Sequence, residues 1–125
     1  MKQQISTDAA PKPAGPYSQA LVVGDFVYTA GFGPIDPVTG KVVGEDVAEQ
    51  TRQVMANLAA VLKQAGVGFD DVVKATVHLE EPGRDFAAFN EVYREYFTEP
   101  YPVRTTVGST LHGFLVEIDF VAHKG

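Results

Sequence analysis

Two amphipathic helical segments separated by one alternating strand constrain this chain more than any other feature. Between Asp46 and Gly66, the residues Val47, Thr51, Val54, Met55, Leu58, Val61, Leu62 and Ala65 recur every three or four positions. That spacing is one apolar stripe on a helix. Asp46 and Glu49 form a capping pair at its start, and Gly66 closes it. From Asp71 to Glu80 the period drops to two. Val73, Ala75, Val77 and Leu79 alternate with Lys74, Thr76, His78 and Glu80, as in a half-buried strand. A second helix is predicted over 85–97, with Phe86, Phe89, Tyr93 and Phe97 near one side. Striped helices and a one-sided strand bury their apolar faces most simply against each other, with the helices lying on a sheet.

The remaining segments fill in that sheet. Pro11, Pro13 and Pro16 make residues 1–16 an irregular lead-in. Residues 18–23 and 26–30 read as a hairpin around Gly24-Asp25, and 31–40 as a loop punctuated by Gly and Pro. Two final strands, 104–109 and 114–122, flank Thr110-Leu111-His112-Gly113. The order β-β-α-β-α-β-β predicts an α+β fold, with both helices on one face of a mixed sheet and one domain over residues 1–125. Two helices cover only one face of such a sheet. Oligomerisation through the other face is the physical expectation if that face is apolar.

Charge and composition narrow the possible partners. The net charge is −6 and the ten basic residues are scattered with no two adjacent, which argues against a nucleic-acid surface. No apolar run approaches the roughly 18 residues that span a membrane. The start, Met1 to Asp8, lacks the apolar core of a signal peptide, so a cytoplasmic address is expected. There is no Cys, and His78, His112 and His123 lack ligand spacing, so no metal site is expected. Gly31-Phe32-Gly33 is followed by Pro34 with no helix opening at once, which does not fit a dinucleotide loop.

One residue carries a chemical question. Arg104 lies in Tyr101-Pro102-Val103-Arg104-Thr105-Thr106-Val107, ahead of the alternating strand Leu115 to Val121. If the last two strands pair as a hairpin, and in the register that sets Thr106 opposite Glu117, Arg104 falls opposite Asp119, all on one face. Arg104 is then either half of a cross-strand ion pair with Asp119, or an anion clamp beside Glu117. Spacing leaves both readings open.

Motifs along nearly the whole chain bear on that choice. They are Ala14-Gly15-Pro16-Tyr17-Ser18-Gln19-Ala20, Tyr28-Thr29-Ala30-Gly31, Asp36-Pro37-Val38-Thr39-Gly40, Glu49-Gln50-Thr51-Arg52-Gln53-Val54, Phe89-Asn90-Glu91-Val92-Tyr93, and Pro102-Val103-Arg104 with Val116-Glu117-Ile118. In this collinear order they resemble the Rid (YjgF) family of reactive-intermediate deaminases. The resemblance implies a chorismate-mutase-like fold and a homotrimer with sites between subunits. It also implies a cofactor-free hydrolysis of 2-enamine and 2-imine intermediates to 2-keto acids and ammonia. Position by position, it makes Arg104 the carboxylate clamp and Glu117 the acid that orients water. Tyr17 becomes a pocket wall, Gly31 a backbone contact, and Asn90 a residue bordering the cleft. Three departures bear on the substrate. Phe32 stands where many members have a polar residue, Thr106 stands where a cysteine is common, and the 104–117 segment is about two residues short. Phe32 is accordingly expected to narrow the pocket or to favour a more apolar substrate. The same pattern is compatible with a trimer that binds a small carboxylate without turning it over.

Overall fold

A computed structural model describes residues 1–125. Six strands and two helices form it: β1 (Lys2–Ile5), β2 (Ala20–Val23), β3 (Phe26–Thr29), α1 (Val47–Gln64), β4 (Val72–Leu79), α2 (Pro82–Arg94), β5 (Val103–Gly108) and β6 (Val116–His123). They build one mixed sheet in the order β1-β2-β3-β6-β4-β5, with both helices on one face.

The capping pair at α1 forms, with a shifted partner. Asp46 Oδ1 accepts the Glu49 N–H at 2.8 Å, while the Glu49 carboxylate accepts from Glu45 one residue earlier. Val54, Met55, Leu58, Val61 and Leu62 of the stripe are buried against the sheet. The opposing sheet residues are Val27, Ala75, Val77, Leu79, Val116, Ile118, Phe120 and Ala122. Each large side chain buried there contributes roughly 1.5–3 kcal/mol of transfer free energy. The second helix lies three residues N-terminal to the predicted span, because Pro82 at its first turn suits a helix start.

Three expectations fail, each for a physical reason. The lead-in is not irregular throughout, since Lys2 to Ile5 pairs antiparallel with β2. Only Ile5 of that edge strand is buried, so its sequence carries no period-two signal. In β4 a register irregularity between Val72 and Lys74 puts Val72 on the buried face and leaves Val73 exposed. Most consequentially, β5 and β6 are not a hairpin. β5 runs parallel to β4, and β6 lies on the other side of β4, antiparallel to it. A strand, a helix and a strand in succession form a crossover that makes neighbours parallel, and β4-α2-β5 is such a unit.

Candidate active site

The strand order decides where Arg104 and Glu117 point. Arg104 is opposite Ala75 and Thr106 opposite Val77, both on the helix-covered face. Glu117 is opposite His78 on the other face, and Asp119 is opposite Thr76 there. The shared face expected for Arg104, Thr106 and Glu117 is therefore wrong. So is the Arg104–Asp119 ion pair. The two strands are separated by β4, and Arg104 is level with Ala75 whereas Glu117 is level with His78, three residues further along. The two backbones are therefore about 14 Å apart, with their side chains directed oppositely.

On the helix side, Arg104 is half-buried and is braced by aromatic rings of α2. Its guanidinium carbon lies 4.8 Å from the Tyr93 ring centroid, 5.5 Å from Phe89 and 5.8 Å from Phe86. These are cation–π distances. No carboxylate lies within salt-bridge reach of it; the ion pairs present are Arg52–Glu95 and Arg84–Asp85. A cavity of about 280 Å³ opens beside it, lined by Asn90, Tyr93, Arg94, Tyr101, Pro102 and Arg104. The side-chain oxygens of Asn90, Tyr93 and Thr106 are buried there or nearby without a hydrogen-bond partner. Such orphaned groups are uncommon in a folded protein and each calls for a partner. Burial raises the Tyr93 phenol pKa, against the pull of the Arg104 charge. Thr106 itself does not line the cavity.

The other half of the expected site lies in a separate cleft of about 660 Å³, which includes Tyr17, Gly31, Phe32, Phe114 and Glu117 in its lining. Gly31 has no side chain for a direct reason. A Cβ there would stand 2.8 Å from Glu117 Oε2, so the carboxylate rests on bare backbone. Tyr17 is half exposed and its hydroxyl accepts the Ala14 N–H at 3.2 Å. Phe32 is not the principal aromatic wall. It is 6% exposed, belongs to the core, and exchanges two backbone hydrogen bonds with Ile118 at 2.9 and 3.1 Å.

Three buried side-chain amides pin the segments around this cleft. Gln19 accepts the Thr7 N–H and donates to the carbonyls of Thr7, Ala10 and Pro11. Gln50 donates to the Gly44 carbonyl and accepts the Leu115 N–H at 2.7 Å. Asn57 donates to the carbonyls of Gly33 and Ile35 at 3.1 and 2.9 Å. Sequence reasoning missed these amides, Tyr93 and Phe114. For Gln50 and Asn57 a signal existed, since two polar residues seven apart lie within the apolar stripe of α1.

The helix-free face also holds a polar cluster. Asp119 faces Lys74, Thr76 and His78, and burial raises its pKa more than these neighbours lower it. His78 Nδ1 lies 2.7 Å from Ser109 Oγ.

Comparison with known proteins gives a consistent picture. A family model described as endoribonuclease L-PSP matches residues 7–124. The chain is 48% identical over 126 residues to a RutC family protein of Pyrococcus horikoshii, covering 99% of each. It is 40% identical over 127 residues to a protein of Bos taurus named 2-iminobutanoate/2-iminopropanoate deaminase, covering all of this chain and 92% of the other. Among solved structures, RidA of a Psychrobacter species superposes with a TM-score of 0.91 at 39% identity, over 97% of this chain and 98% of that one. TdcF of E. coli, solved with bound serine, gives 0.90 at 35%, over 98% and 99%.

Proposed function

This chain belongs to the endoribonuclease L-PSP family, which includes the Rid proteins, and from that premise we propose that it hydrolyses 2-imino acids to 2-keto acids and ammonia. The observation that carries the reading is the unpaired Arg104, held by three rings beside orphaned polar atoms. A rigid fork with no counter-ion suits a carboxylate, which it can grip through two hydrogen bonds. The named deaminase at 40% identity and the serine in the TdcF structure support a small carboxylate bearing nitrogen on its α-carbon.

Arg104 and Glu117 cannot reach one small substrate from opposite faces of one sheet. A second copy of the chain can supply the missing half, and we place the site between subunits of a homotrimer, with Arg104 and Asn90 from one subunit and Glu117, Tyr17 and Gly31 from the next. Thr106 supports the strand behind the clamp. Glu117 orients a water and accepts its proton as oxygen adds to the imine carbon. Glu117 returns that proton to nitrogen to give the carbinolamine, then relays the hydroxyl proton to the same nitrogen, so that the C–N bond breaks and ammonia leaves as the carbonyl forms. The imine carbon is already electrophilic, so positioning and modest proton transfer suffice.

The decisive experiment follows imine loss, coupled to an amino-acid oxidase, for wild type, Arg104→Ala, Glu117→Ala and the two variants co-expressed. Each variant alone is expected to be inactive. Random co-assembly places an intact Arg104 next to an intact Glu117 in about a quarter of the interfaces, so about a quarter of wild-type activity returns. No recovery from well-folded mixed assemblies refutes the shared site. Carboxylate binding without turnover in wild type replaces the enzyme by a binding protein. The acidic balance of the chain weighs against an RNA substrate.

A further inference from the structure

Resting on that deaminase reading, we propose that Phe114 forms a side-chain subsite beside Glu117, and that this subsite favours imino acids with branched or aromatic side chains. Gly31 and Gly33 are two residues apart on an extended stretch, so they face the same way about 6–7 Å apart. Glu117 rests on the first. The Phe114 ring rests on the second, where a Cβ would stand 2.8 Å from Cζ and 2.9 Å from Cε1. A carboxylate and an aromatic ring thus sit side by side along one cleft wall. A reacting carbon at Glu117 directs its substituent over the ring.

The ring is fixed from several directions. Gly113 before it has φ +85°, a conformation that other residues rarely adopt. Leu115 after it gives its N–H to the buried Gln50. Beneath it, Asn57 holds the carbonyls that flank Pro34. Ile35, Pro37 and Val38 extend the apolar lining beyond the ring, and the cleft measures about 660 Å³. A methyl or ethyl substituent leaves most of that space to water, whereas a branched or aromatic one displaces water from apolar surface. Phe32, set into the core behind Gly31 and Gly33, plays no direct part in this selection.

Kinetics on imines of alanine, leucine and phenylalanine test the proposal, together with calorimetric binding of 2-oxopropanoate, 4-methyl-2-oxopentanoate and 3-phenyl-2-oxopropanoate. Wild type is expected to show kcat/KM at least tenfold higher for the two bulky imines than for the alanine imine. Phe114→Ala lowers the bulky values at least tenfold, mainly through KM, and lowers the alanine value by a much smaller factor. Phe114→Leu restores most of the loss. If Phe114→Ala does not fold, Gly33→Ala displaces the ring without removing it, with the same selective loss expected. Equal losses on all three imines, or a wild-type preference for the smallest, overturn the subsite while leaving the deaminase reading standing. If no imine is turned over, the deaminase reading fails, and a graded keto-acid affinity that Phe114→Ala abolishes still establishes the subsite. Neither turnover nor binding overturns both.

Discussion

Replacing Asn57 with Ala removes a side chain that holds the floor of the Glu117 cleft. The Asn57 side chain is 1% exposed, and its amide supplies the hydrogen bonds to the Gly33 and Ile35 carbonyls. Two net hydrogen bonds contribute about 1 kcal/mol each, and an orphaned buried carbonyl costs about 1–3 kcal/mol. Gly33 and Ile35 are only half-buried, so relaxation toward water offsets part of this. The sum is about 2–4 kcal/mol, which in a chain of this length lowers Tm by roughly 8–15 °C. Urea unfolding followed by circular dichroism at fixed protein concentration and pH 7 measures it. Asn57→Asp sharpens the argument, because it turns a donor into a charged acceptor aimed at two carbonyls. Its deficit equals or exceeds that of Ala at pH 7 and shrinks on acidification as the carboxyl takes up a proton. A loss below 1 kcal/mol for Asn57→Ala, or an Asp variant insensitive to acid, refutes the idea that these bonds hold the loop.

Two further predictions concern the helix-free side of the sheet. Gly31→Ala places a methyl against the Glu117 carboxylate and is expected to cut turnover at least tenfold with little change in Tm; unaltered kinetics contradict the close packing described. Asp119 binds its proton more tightly folded than unfolded, so its ionisation opposes folding. The penalty is absent below the ordinary value of 3.8 and develops as pH rises through the elevated folded value. Asp119→Asn should therefore raise Tm at pH 7, with the gain vanishing by about pH 3. A gain that persists or grows toward acid runs against this assignment.

The α+β class and the inner and outer residues of β6 were legible because they depend on local period. Val116, Ile118 and Phe120 point inward and Glu117 and Asp119 outward, as the alternation requires. Strand neighbours depend on which backbones meet, and the Thr110–Gly113 segment looks like a hairpin turn although it leads across β4. The strand-helix-strand succession from 72 to 108 was the better guide to that pairing. The motif residues themselves were readable, yet their division between two faces was not, since it follows from sheet order alone. Phe114 escaped because alternation carried back from Val116 assigns it to the helix-covered face with Ile118 and Phe120, whereas β6 starts only at Val116 and the Phe114 ring lies on Gly33 in the Glu117 cleft. A backbone bridge to Ile118 takes Phe32 into the core.

The opposite-face placement of Arg104 and Glu117 also bears on how such a chain can diversify. The clamp depends on packing between α2 and β5, whereas the cleft depends on the segment after β3 and its amide anchors on α1. Within one chain the two sets share no contact of their side chains in these interactions, so changes in one leave the other's stability largely undisturbed. Selection can then explore side-chain preference by varying the cleft while anion binding stays in place. An engineer inherits the same freedom, with libraries at the cleft separable from libraries at the clamp.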